Sequence, residues 1–163
     1  GLMYWLESTP TEVDMPSAIR KAILANARMM LKTPLPIIGI RGIRFLAKKI
    51  RTLDKSQGSP KKIKLYLGHI VRMQEEIGTG GGGFRFIYAS FLQEAANITS
   101  DARLLEASTM MTEAGDQWRQ FALATARACK NKNEMDLNAL ADLMQECANK
   151  EEKVWQFLLS FIK

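Results

Sequence analysis

A chain of 163 residues, 47% apolar and 25% charged, has the composition of one folded domain able to bury a core without disulfides or metal, which excludes wholesale disorder. No apolar run approaches the roughly 18 residues of a membrane span, and no cationic start followed by an apolar stretch marks a signal peptide. The net charge of +6 is uneven, because Arg41, Arg44, Lys48, Lys49, Arg51, Lys55, Lys61, Lys62 and Lys64 are opposed in that stretch only by Asp54. Such asymmetry predicts an acidic partner: a nucleic acid, an anionic membrane surface or an acidic protein.

In chain order, Gly1 in place of methionine reads as a cleavage scar, and Leu2-Met3-Tyr4-Trp5-Leu6 is rich in strand-forming residues with no partner strand further on. Residues 1–14 are therefore expected to be a strand-like segment and a polar linker, Ser8-Thr9-Pro10-Thr11-Glu12, belonging with a missing N-terminal domain. An unstructured or helix-packed N-terminus is the other reading. Residues 15–163 are expected to form a single all-α bundle of about six helices.

The first helix, about Met15 to Lys32, has Asp14 to cap it and Pro16 in its first turn, and Thr33-Pro34-Leu35-Pro36 breaks it. A second, about Gly39 to Leu53, sets Ile43, Leu46, Ala47 and Ile50 against Arg41, Arg44, Lys48 and Arg51. That basic face reads as a docking stripe for an acidic partner or as a solvated exterior. Ser59-Pro60 opens a third helix to about Ile77, with Gly78 as its stop. After the glycines, Phe84, Ile87, Tyr88, Phe91, Leu92 and Ala95 form an aromatic-rich face on a fourth helix, the expected core centre. Thr99 or Ser100 is expected to cap a fifth helix running to about Lys130, with Gly115 where two helices approach closely. Asn131-Lys132-Asn133 is read as a turn. A sixth helix from about Met135 carries Leu137, Leu140, Leu143, Met144, Cys147, Val154, Trp155 and Leu158.

The chemistry-bearing candidates are few. Gly78-Thr79-Gly80-Gly81-Gly82-Gly83-Phe84-Arg85 meets the glycine spacing of nucleotide-binding loops, but a helix precedes it where a strand should, and Phe84-Arg85 stands where a lysine and a hydroxyl residue should hold phosphate and magnesium. Its amides, the helix start and Arg85 could bind a carboxylate or phosphate, so these eight residues form the candidate ligand site; a tight packing turn is the equal alternative. A first-turn cation opposes the helix dipole, which predicts a bound anion or a carboxylate from elsewhere in the protein at Arg85. On the site reading, Arg85→Ala lowers activity of a full-length parent while leaving the melting temperature within a few degrees. Glu75 and Glu76 read as a solvated last turn, and the only histidine, His69, as structural. No nucleophile, metal site or cofactor is nominated, and Cys129 and Cys147 read as buried reduced thiols, favouring the cytoplasm.

The run Glu76-Ile77-Gly78-Thr79-Gly80-Gly81-Gly82-Gly83-Phe84-Arg85-Phe86-Ile87-Tyr88-Ala89-Ser90-Phe91-Leu92-Gln93-Glu94-Ala95-Ala96 resembles the helical domain of unknown function fused behind butirosin-biosynthesis-protein-H-like N-terminal domains. Gly78, Thr79, Gly80, Gly81, Phe84, Arg85, Tyr88, Phe91, Leu92, Glu94, Ala95 and Ala96 carry the match, and Asp116-Gln117-Trp118 and Glu151-Glu152-Lys153-Val154-Trp155 are similar to its last two helices. The resemblance implies a parent with a cysteine-peptidase-like N-terminal half and, by likeness to butirosin protein H, transfer of an acyl group from an acidic acyl carrier protein to an amine. The chain alone would then be inert, an accessory domain beside the substrate or carrier cleft. The rival is a stand-alone module that binds nucleic acid, membrane or an acidic protein through its basic helix.

Overall fold

The computed structural model describes residues 2–5, 7, 12–130 and 135–162. Among them are seven α-helices: α1 Met15–Lys32, α2 Gly39–Arg51, α3 Leu53–Gln57, α4 Pro60–Glu75, α5 Arg85–Thr99, α6 Arg103–Lys130 and α7 Leu137–Phe161, with a 3₁₀ turn at Gly82–Phe84 before α5. No strand occurs among the described residues. Leu2 to Trp5 carry no regular structure and are exposed, while Leu6, the Ser8–Thr11 linker and the Asn131–Asn133 turn lie outside the described residues.

Local chemistry sets most of the ends. Asp14 accepts from the Ser17 amide at 3.2 Å, so α1 starts where its cap and Pro16 predict, and Thr33 turns extended before Pro34. The second helix stops earlier than expected, at Arg51, because the Thr52 amide turns back to Lys49 and Ile50; Leu53–Gln57 is a separate short helix closed by left-handed Gly58. Neither Thr99 nor Ser100 caps α6. Ser100 is left-handed and ends α5, and it is Asp101 whose carboxylate accepts from the Arg103 amide at 3.1 Å. The Arg103 side chain closes on the same carboxylate and holds its pKa below the usual value.

The long helices α6 and α7 are the centre, antiparallel, with Arg103 at the start of one stacked on Phe161 at the end of the other. Met111, Phe121, Met144, Val154 and Leu158 are fully buried between layers to which α1, α2, α4 and α5 contribute Ile23, Ile50, Leu67 and Leu92. This corrects the expected centre on α5. Its buried face is Ala89, Leu92, Ala95 and Ala96, whereas Phe84 and Ile87 are exposed. The small residues let α5 lie close along α6, and Ser108 donates across the seam to the Ala89 carbonyl at 2.8 Å. The α2 helix runs antiparallel along α7. His69 is exposed on α4 rather than part of the core.

Candidate functional site

The glycine loop is held from below by the end of α4. Glu75, expected in a solvated turn, is half-buried instead: its Oε1 accepts from the Gly82 amide at 3.2 Å and from Gln74 Nε2 at 2.8 Å. α4 stops at Glu75 and not Ile77 because the Glu76 and Ile77 amides both turn to the Arg72 carbonyl, at 2.9 and 3.3 Å, ahead of left-handed Gly78. Gln74 Nε2 also donates to the Trp118 carbonyl of α6 at 2.8 Å. Buried Thr79 donates to the Gln74 carbonyl at 2.6 Å and accepts from the Gly81 amide at 3.3 Å, and the Phe84 amide closes the loop on the Thr79 carbonyl at 3.2 Å. These interior bonds engage three of the amides that an anion-binding loop would have to present, those of Gly81, Gly82 and Phe84.

Gly80 to Phe84 all have positive φ, a path only glycine follows freely, and Phe84 follows it at φ 72°. At Gly82 two needs coincide. Its φ is 56°, and a Cβ there would meet the Phe86 ring at 2.9 Å and the Gly115 carbonyl at 3.4 Å. Gly115 itself faces Phe86, so the expected close approach at that glycine is made by a ring inserted between loop and α6. Arg119 stacks on the other side, 4.5 Å from the Phe86 centroid, with Glu75 3.9 Å from its Nε.

Arg85 has its carboxylate, and the carboxylate belongs to this domain. Glu151 of α7, 1% exposed, accepts from Arg85 Nε at 2.9 Å, Arg85 Nη2 at 2.7 Å and Trp118 Nε1 at 2.6 Å, all on Oε1. Arg85 Nη1 donates to the Gly83 carbonyl at 2.6 Å, and its guanidinium lies 4.4 Å from the Trp118 ring centroid. The first-turn cation is thus explained by a buried pair and not by a free anion. Arg85 is bonded within the domain to Glu151 and the Gly83 carbonyl, so Arg85→Ala is expected to lower the melting temperature rather than leave it within a few degrees.

Sequence reasoning missed Glu151, Gln74 and Glu75 as parts of this clamp. A signal existed for Glu151: the α7 stripe Leu140, Met144, Cys147, Val154, Leu158 leaves one register position vacant, and Glu151 fills it. Cys147, one turn away, is pushed up to about 12 by burial and then by the Glu151 charge, which leaves a neutral thiol. Cys129 is half-buried, and its thiol is raised by burial. Among the described residues no group of three His, Cys, Asp or Glu side chains could hold a metal, and no helix is long and apolar enough to cross a membrane.

The expected docking stripe divides. Arg44 forms a two-point pair with Glu152, at 3.1 and 2.7 Å, and Arg51 pairs with Asp142 and donates to Asn138 at 3.2 Å, so both brace α2 against α7. Arg41 reaches the Thr33 and Pro34 carbonyls at 3.5 Å, and Lys48 is exposed.

Beside the clamp are two recesses that share Met30 and Arg85. One, about 220 Å³, is lined by Met30, Gly83, Phe84, Tyr88, Met111 and Trp155 with Arg85 and Glu151; the other, about 320 Å³, lies against Ile37, Gly42, Leu46 and Trp118.

Fold and site together define an all-α bundle centred on α6 and α7, with a glycine loop clamped against α4, α6 and α7. The chain belongs to the family described as domain of unknown function DUF4872, whose model matches residues 1–158. No curated protein and no solved structure matches it.

Proposed function

We propose that this domain is the C-terminal helical accessory part of a butirosin-H-like acyltransferase or peptidase-like protein, and that its glycine loop faces the domain preceding it to complete a substrate or carrier-protein cleft. The observation that carries the reading is the collar around the loop. Phe84 and Ile77 of the loop and Ile87 in the first turn of α5 beside it are 56, 48 and 54% exposed, the loop backbone is fixed from beneath, and Phe84 holds a left-handed conformation that costs about 1–3 kcal/mol for a non-glycine residue. Apolar side chains displayed on a rigid, strained support fit a protein contact better than a solvated turn. The exposed Leu2, Met3, Tyr4 and Trp5 favour the same arrangement, as a segment whose cover lies in a neighbouring domain.

In such a parent the acyl group leaves a carrier thioester, forms an amide with an amine and releases the thiol; this domain would shape the cleft and supply no nucleophile. The test is the coding sequence upstream of residue 1 together with the kinetics of its product. An adjoining cysteine-bearing α/β domain whose acyl transfer falls about tenfold on Phe84→Ala, with melting unchanged, is the expected result. An upstream stop codon, or transfer indifferent to Phe84→Ala, overturns it. Exposed Lys48 and Lys49 keep the second reading in play, an interaction module that meets an acidic partner through α2.

A further inference from the structure

One side of α4 packs on α6 through Ile63, Leu67 and Gln74, while Lys61, Leu65, Gly68 and Arg72, at i, i+4, i+7 and i+11, form a single exposed stripe on the opposite side. Three features of that stripe describe what meets it. The first is charge. From Lys55 to Gln74 the chain carries Lys55, Lys61, Lys62, Lys64 and Arg72 and no aspartate or glutamate, and Lys55, Lys61 and Lys62 are exposed. Arg72 faces Glu76 at 3.7 Å, a pair largely in solvent that holds the guanidinium weakly. The second is apolar surface in the middle of the cations. Leu65 is 75% exposed, more than any other large apolar side chain on a helix among the described residues, and Tyr66 beside it is 36% exposed. The third is Gly68. Glycine is the poorest helix former after proline, and a Cβ there would meet nothing within 4 Å, so no packing inside the chain calls for it. It leaves the helix backbone bare between Leu65 and Arg72, where a flat surface can come close.

Cations around a protruding leucine fit a surface that is anionic on its face and apolar just beneath. Nucleic acid offers the charge but nothing for Leu65, and the neighbouring arginines that could fork onto phosphates or base edges, Arg44 and Arg51, are held by Glu152 and Asp142. An acidic helix would need a groove. The one that α4 shares with α6 lies around the helix from this stripe and has Glu75 in its wall beside Val71, Ala122 and Leu123. Lysine heads on flexible stems, with a tyrosine among them, suit lipid headgroups, which demand no fixed partner geometry.

We infer that the outward face of α4 is a docking site for an anionic lipid bilayer, with Lys61, Lys62 and Arg72 among the headgroups and Leu65 entering the acyl boundary. The helix lies on such a surface and does not cross it, since no helix among the described residues is long and apolar enough to do so. The site uses neither the glycine loop nor α2, so it stands apart from the cleft reading.

The test is flotation of the intact chain with vesicles of phosphatidylcholine containing about 30 mol% phosphatidylserine, where half-binding is expected at an accessible lipid concentration on the order of 1 mM in about 0.1 M salt. Binding should be at least about tenfold weaker on pure phosphatidylcholine and should fade as salt is raised. Lys61→Glu/Lys62→Glu should weaken it about thirtyfold. Leu65→Gln, which leaves the charge unchanged, should weaken it about tenfold. Neither variant should lower the melting temperature by more than about 2 °C, because all three side chains are exposed. Gly68→Leu should tighten binding several-fold, since a bilayer takes in an added apolar side chain whereas a protein fitted to the bare backbone would be blocked. The inference is overturned if the chain stays unbound at about ten times that lipid concentration, or if Leu65→Gln binds like the unchanged chain. Equal binding to pure phosphatidylcholine, as insertion of the exposed Leu2 to Trp5 would give, overturns it too. Loss of vesicle binding in Gly68→Leu would assign the face to a protein. A DNA duplex bound more tightly than the vesicles, and just as tightly by Leu65→Gln, would assign it to nucleic acid; either result overturns the bilayer.

Discussion

Arg85 and Glu151 illustrate how a charge pair can be indispensable without adding net stability. Glu151 is 1% exposed and makes every bond it has through Arg85 and Trp118; removing Arg85 leaves a carboxylate in the core with one indole donor. Breaking a buried pair from one side costs about 3–5 kcal/mol, because the remaining charge keeps its desolvation penalty and loses its compensation. Arg85→Ala should therefore lower the melting temperature of this chain by roughly 6–20 °C, at about 2–4 °C per kcal/mol for a domain of this length. Calorimetry of Arg85→Ala alongside Arg85→Ala/Glu151→Gln checks it: the double variant removes the stranded charge and should recover part of the loss. A drop of only a degree or two would mean that Glu151 is held by something other than Arg85.

At the scale of elements, the helices were legible because each carries a 3.6-residue apolar stripe and several carry their own punctuation, such as Asp14 with Pro16, and Ser59 with Pro60. The Arg85–Glu151 pairing was not legible, because its partners are 66 residues apart in sequence and no local pattern specifies which face of α7 meets the start of α5. The loop was legible as a binding or packing turn, and the geometry inside it shows which of its glycines are packed and which stand open. At Gly78 the φ is 67° with open space around a Cβ, so alanine there meets backbone strain alone. At Gly82 the same strain is joined by the Phe86 ring and the Gly115 carbonyl. Gly78→Ala should cost about 1–2 kcal/mol and Gly82→Ala clearly more, read as urea midpoints at constant slope. Equal losses would mean that Phe86 moves aside freely and that the loop is not wedged against α6.

Across the whole molecule, composition could not tell which cations of the basic stretch brace a helix and which stay exposed, since the two look alike in sequence. Arg44 and Arg51 face Glu152 and Asp142 along the α2–α7 seam, while Lys48 and Lys49 are exposed, with Lys49 resting 5.9 Å from the Phe45 ring centroid. Partly exposed pairs of this kind contribute about 0.2–1 kcal/mol each, and reversal adds repulsion across the seam. Arg44→Glu/Arg51→Glu should therefore destabilise the chain by about 1–2 kcal/mol, whatever partner it has, and Lys48→Glu/Lys49→Glu should leave stability within about 0.5 kcal/mol. Binding should divide the other way. If α2 meets an acidic carrier protein, the lysine pair should slow association at low salt and lose its effect as salt screens the approach. Chemical denaturation of both double variants, followed by stopped-flow association with an acidic acyl carrier protein at two salt concentrations, separates the roles. Should the lysine reversal leave association untouched at low salt, the docking reading of α2 fails and its lysines are a solvated face.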